Sequence, residues 1–150
     1  MMRTTPPFRA DQVGSLLRSP AIQDARAKRE AGEIDADRLR EAEDREIAMI
    51  IRKQDEVGLK VVTDGEYRRS WWHFDFLGGL DGVDVFVSDE GIQFQGRETK
   101  AQGIEVTGKI GFSDHPMIEH FRYLKDHTSL VPKMTIPSPS VLHFRQEDEA

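Results

Sequence analysis

Between residues 35 and 58 the apolar residues Leu39, Ala42, Ile47, Ile50, Ile51 and Val57 recur near helical spacing, with charges on the other face. This pattern predicts an amphipathic helix with Asp35 as its N-cap. Gly58 followed by Leu59 predicts a Schellman-type end. Upstream, residues 21–31 are rich in Ala, Arg, Lys and Glu, which predicts a helix opened by Pro20 and stopped at Gly32. The apolar run VGSLLR, from residue 13, reads as a short buried strand with a Gly14-Ser15 turn. Residues 60–63 (KVVT) read as a second short strand, bounded by Asp64-Gly65.

Residues 65–82 mix aromatics, charges and glycines without a period, which predicts a long functional loop with a helical piece. Residues 83–87 and 92–95 alternate apolar and polar positions around a break at 88–91, the pattern of a hairpin. Residues 104–110 add a third strand. Ser113 or Asp114 is the expected cap of a helix over 116–126, with Met117, Phe121 and Leu124 on one face. Residues 131–136 form a last strand running into PSPS. Residues 1–12 are an irregular leader, and RQEDEA is a charged tail.

A helix, a glycine stop and a buried strand in succession define an α/β chain. The strands near Val13, at 60–64 and at 131–136 are therefore expected side by side and parallel. Helix 35–58 should cover their outer face through Ile47, Ile50 and Ile51.

Composition narrows the function classes. The 150 residues suit one domain with a real core. A net charge of −6 argues against a nucleic-acid partner, which needs a basic face. Cysteine is absent, so disulfides, thiolate zinc sites and a cysteine nucleophile are excluded within this chain. The longest aliphatic run, residues 47–51, is far short of a membrane span, and MMRTTPPF lacks the apolar core of a signal peptide. The expectation is a cytoplasmic chain without a membrane partner.

Several motifs carry possible chemistry. Residues 103–109, GIEVTGK, approach a phosphate-binding loop, but Ile110 stands where Ser or Thr would hold magnesium, and IEVT alternates like a strand. Of the five histidines, His73, His115, His120, His127 and His143, no two are spaced four apart on a helix, so a metal pair is not expected, and surface or core-edge roles are. Trp71, Trp72, Phe74 and Phe76 could either pack a core or line a flat-ligand pocket. The most informative residues are Asp64-Gly65-Glu66, directly after a short strand. In parallel α/β folds, ligands meet the carboxyl ends of strands. Glu66 there could bind an amine or act as a base. The Gly14-Ser15 turn has the same relation to the first strand, and its amides and hydroxyl could hold a carboxylate. Together the two turns suit an amino acid.

The ordered series VGSLLR, AKREAGEID, RKQDEVGLKVVTDGEYRRSWW, FLGGLDGV and PKMTIPSPSVL resembles the cobalamin-independent methionine synthase family, over about residues 9–145. The likeness is to its short members, related to the C-terminal catalytic half of the full enzyme. The resemblance implies a (β/α)₈ barrel of the uroporphyrinogen decarboxylase type. It implies methyl transfer from a methyltetrahydrofolate to the thiol of homocysteine, with zinc holding the thiolate. It places Val13, Gly14 and Ser15 where the family holds the amino-acid part of homocysteine, and Glu66 where a carboxylate meets that substrate. The family's zinc ligands, His, Cys, Glu and Cys, match nothing here.

A complete barrel needs about 250 residues. The expectation is therefore an N-terminal portion of the barrel, with a hairpin excursion at about 83–110. Self-association or a missing C-terminal half would complete it. Two rival functions are zinc-dependent alkyl transfer to another thiol such as coenzyme M, and a non-catalytic binding module.

Overall fold

The computed structural model describes residues 12–88, 93–94, 97–98 and 101–145. They form two compact units, residues 12–68 with 118–135, and residues 69–117 with 136–145.

The first unit holds α1 (Pro20–Glu30), α2 (Ala36–Glu56), β1 (Val61–Val62), most of α4 (Pro116–Asp126) and β6 (Val131–Pro132). Ser19 caps α1 by accepting from the Ile22 amide, with Pro20 in the first turn. Asp35 caps α2 by accepting from the Arg38 amide. Both helices close alike. Leu59 N–H reaches Gln54 C=O at 3.0 Å and Gly58 N–H reaches Asp55 C=O at 2.8 Å, the predicted Schellman pair, and Glu33 and Gly32 repeat it on α1. Gly32 and Gly58 take φ of 75° and 84°, the left-handed turn that ends each helix. Val57 departs from the predicted stripe: it is the C-cap residue of α2 and lies exposed.

β1 and β6 pair in parallel, Val61 with Val131 and Val62 with Pro132. Ile47, Ile51, Val62, Ile22, Tyr67 and Leu124 form one core, with Ile50 packed against it. Helix α2 thus covers the strand pair through the residues the pattern selected. The expected first strand near Val13 is not one. The carbonyls of Gln12, Val13 and Gly14 are taken by the side chains of Lys133 (2.6 Å), Thr135 (2.6 Å) and Thr63 (2.7 Å) rather than by a strand ladder.

The second unit holds α3 (Phe74–Leu77), β2 (Asp81–Ser88), β3 (Gln93–Phe94), β4 (Arg97–Glu98), β5 (Ala101–Gly111), the start of α4, and α5 (Ser140–Arg145). The hairpin partner differs from the expected one. Strand β2 pairs antiparallel with β5 (Val83 with Val106, Val85 with Ile104), while β3 pairs with β4. The longer ladder wins because it buries Val83 and Ile104 against Phe74 and Leu77. The expected turn at 88–91 falls largely outside the described residues. GIEVTGK lies within β5, so it is strand rather than phosphate loop.

Helix α4 is not capped by Ser113 or Asp114 as expected. Ser113 is held by Asp81, its amide at 3.1 Å and its hydroxyl at 2.7 Å. The Met117 amide instead donates to Nδ1 of His115 (3.2 Å). Nε2 of His115 lies 2.8 Å from the Phe76 carbonyl. Since Nδ1 accepts, Nε2 carries the proton and donates, which fixes the neutral tautomer. His115 and His73 are both deeply buried, against the expectation of surface or core-edge positions. Among the described residues no helix is long and apolar enough to cross a membrane.

Candidate functional site

The first unit brings the two predicted turns together. Thr63, the residue after β1, donates its hydroxyl to Gly14 C=O (2.7 Å) and accepts from the Gly65 amide at 3.1 Å. Leu16 N–H donates to Gly65 C=O at 3.0 Å. Ser15 and Glu66 therefore flank a direct backbone link between their segments. Gly14 is buried, whereas Val13 and Ser15 are exposed.

Gly14 is required by both its conformation and its surroundings. Its φ is 123°, and a Cβ there would meet Thr135 Oγ1 at 2.6 Å. A peptide is planar and trans, so the amide of each residue points opposite to the preceding carbonyl. With the carbonyls of Gln12, Val13 and Gly14 bound by Lys133, Thr135 and Thr63, the amides of Val13, Gly14 and Ser15 face away from those side chains.

The second turn is tight and strained. Asp64 accepts from the Glu66 amide at 2.9 Å, an Asx turn that sets up the reversal. Glu66 has φ 57°, the only positive φ of a non-glycine residue among the described residues. A side chain held there costs about 1–3 kcal/mol, and such strain concentrates at functional sites. Glu66 is also 5% exposed, so its carboxylate sits in a largely dry setting.

Long side chains hold this turn from behind. Arg18 donates to Glu66 C=O (3.0 Å) and Arg26 to Tyr67 C=O (2.8 Å). The Tyr67 hydroxyl donates to Leu17 C=O at 2.9 Å, and burial raises its pKa, so it stays a donor. Arg68 pairs with Glu43 at 3.3 Å and with Asp44, both on α2, and lies over the Tyr123 ring. Burial raises the pKa of Glu43 despite Arg68 and Arg26. Burial likewise raises that of Tyr123, whose hydroxyl donates to Asp44 C=O.

Several contributors escaped the sequence reading. Glu43 and Gln54 are buried polar residues on the apolar stripe of α2, at the helical spacing of Leu39, Ile47, Ile50 and Ile51. A polar residue at a stripe position was the available signal. Thr63 and Lys133 follow β1 and β6 directly and Thr135 lies three residues past β6, so all three share the strand-end setting of Glu66.

The aromatic cluster divides. Phe74 is core, while Trp71 and Trp72 remain 38% and 44% exposed and pack one side of each indole against His73. No group of three or more His, Cys, Asp or Glu side chains placed to hold a metal occurs among the described residues. These residues do not fit the zinc centre that the resemblance implies.

A strand pair with ligand-type turns at its carboxyl edge and a helix behind it is a familiar α/β arrangement, and comparison with known proteins gives it a family. The model of the cobalamin-independent synthase catalytic domain matches residues 8–125, and the chain belongs to that family. It is 57% identical to the uncharacterized protein YxjG of Bacillus subtilis, over 97% of this chain and 39% of YxjG. A Listeria monocytogenes structure provisionally assigned as a vitamin-B12-independent methionine synthase matches with a TM-score of 0.78 and 46% identity. That match covers 97% of this chain and 41% of the other. A Synechococcus 5-methyltetrahydropteroyltriglutamate–homocysteine methyltransferase is 28% identical over 89% of this chain and 18% of its own length. The chain spans about two fifths of YxjG and of the Listeria protein. Its architecture is mixed α/β, and it resembles the cobalamin-independent methionine synthases.

Proposed function

We propose that this chain carries the amino-acid half of a homocysteine S-methyltransferase site. In this reading residues 1–150 are the N-terminal portion of a (β/α)₈ barrel and 83–110 an excursion from it. Val13, Gly14 and Ser15 receive the carboxylate through their outward amides and the Ser15 hydroxyl. Glu66 receives the ammonium. The observation that supports this most is the stitching of the two turns, Thr63 hydroxyl to Gly14 C=O at 2.7 Å across 49 residues. One ligand carrying both charges, as an amino acid does, would span them. The methyltransferases among the relatives are named for homocysteine and a methyltetrahydropteroylglutamate, which supports this substrate pair.

The chemistry proposed for the described residues is binding and orientation. Zinc would supply thiolate activation in a complete enzyme, but the described residues present no ligand set for it. Cytoplasmic location follows from the same proposal.

Titration calorimetry with homocysteine tests the site. Glu66→Gln removes a charge-assisted hydrogen bond of ~1.5–3 kcal/mol, so affinity should fall about ten- to hundredfold. Equal affinity for both proteins overturns the role of Glu66. Coenzyme M has no ammonium, and its binding more tightly than homocysteine would favour alkyl transfer to that thiol instead.

A further inference from the structure

We propose that Thr63 is a positioning residue that fixes the distance between the two turns, and that Gln54 holds Thr63 in place. The inference rests on the amino-acid reading and deepens it. Thr63 is 2% exposed, and its one hydroxyl works in both directions, donating to Gly14 C=O at 2.7 Å and accepting from the Gly65 amide at 3.1 Å. One oxygen thus joins the carboxylate turn to the ammonium turn. Leu16 N–H to Gly65 C=O closes the same ring of contacts at 3.0 Å. The main chain of Thr63 cannot drift, because the Gln54 side chain binds its N–H at 3.0 Å and its C=O at 2.8 Å. Gln54 is itself anchored to Ile50 C=O at 3.1 Å and to the Gln12 side chain at 2.5 Å.

The consequence is chemical. A ligand with two charged groups gains from fixed spacing, since the second contact forms without further ordering of the protein. A ligand with one charged group gains nothing from it. Thr63 should therefore act on two-handed ligands and leave one-handed ligands alone.

Two variants of the full 150-residue chain separate this from a packing role. Thr63→Val keeps the bulk and removes the hydroxyl, and Thr63→Ser keeps the hydroxyl and removes the methyl. Amide hydrogen exchange comes first and needs no ligand. In Thr63→Val the Gly65 and Leu16 amides should both exchange about tenfold faster, the worth of one net hydrogen bond. Amides within α1 and α2 should hold, and Thr63→Ser should restore both. Unchanged protection at Leu16, or Thr63→Ser behaving as Thr63→Val, overturns the proposal.

Calorimetry follows with homocysteine, with 3-aminopropanethiol, which lacks the carboxylate, and with 4-mercaptobutanoate, which lacks the ammonium. Thr63→Val should weaken homocysteine about tenfold and each one-handed analogue less than about twofold. A uniform loss across all three assigns Thr63 to packing and overturns the proposal. Failure of the wild-type chain to bind homocysteine overturns the amino-acid reading, while the exchange data still decide whether Thr63 ties the turns together.

Discussion

The side chain of Gln54 hydrogen-bonds both backbone groups of Thr63, its amide to the carbonyl at 2.8 Å and its oxygen from the N–H at 3.0 Å. It occupies the place a neighbouring strand would take beside the end of β1. A two-residue strand would otherwise leave these buried groups without partners. Gln54→Leu keeps the bulk and removes both bonds. It should cost about 3 kcal/mol, within the range for orphaning two buried backbone groups. Urea unfolding measures it, and a loss under about 0.5 kcal/mol, typical of a surface change, would refute the strand-substitute role.

Glu66 at φ 57° gives a second expectation that needs no ligand. Glu66→Gly and Glu66→Ala remove the same functional group and differ only by a Cβ. The Cβ is the source of the left-handed penalty, so the Gly variant should be about 1 kcal/mol more stable than the Ala variant. In a relaxed helix the order would be reversed. Finding Ala the more stable would show that the turn relaxes once the carboxylate is gone.

What the sequence made legible follows from how local each cause is. Helix α2, its Asp35 cap and its Gly58 stop depend on neighbours a few residues apart, and all three were readable. The strand at 61–62 and the face carrying Ile47 and Ile51 followed from the same pattern. Residues 13–16 misled because an apolar run with a turn looks like a strand, whereas their carbonyls are satisfied by Lys133 and Thr135, more than a hundred residues away. Alternation alone could not choose between 92–95 and 104–110 as partner for β2, because both have the same period. The cap of α4 was missed because an imidazole, unlike Ser or Asp, is not a usual cap. Among the proposed site residues, Gly14, Ser15 and Glu66 are candidates through strand-end logic alone. Thr63, which links them, looked like the last residue of a strand.

Glu43 sets a pH dependence. Burial raises its pKa above the ordinary 4.5, outweighing the opposing pull of Arg68 and Arg26. A carboxyl whose pKa is higher in the folded than in the unfolded chain holds its proton more tightly when folded. Its contribution is therefore present below the ordinary glutamate range and lost as pH rises through the raised value. Urea unfolding of wild type and Glu43→Gln across a pH series should show wild type losing stability relative to the variant as pH climbs from 4.5. A relative gain for wild type over that window would mean that its ion pairs outweigh its burial.

The last expectation concerns assembly and metal. The sheet of β1 and β6 has two strands, and among the described residues neither edge is paired further. Leu17 and Val13 stand 91% and 77% exposed in the segment beside it. Open edges and apolar side chains together favour association. Sedimentation should show the chain self-associating, or captured by a segment corresponding to the rest of its longer relatives. Leu17→Glu should weaken self-association at least about tenfold, since burying an unpaired carboxylate costs more than about 1.4 kcal/mol. Zinc should be substoichiometric after gel filtration, because a catalytic site needs about three protein ligands and no such group occurs among the described residues. A stable monomer holding one zinc per chain would overturn both halves of this expectation and would place a metal site among the histidines.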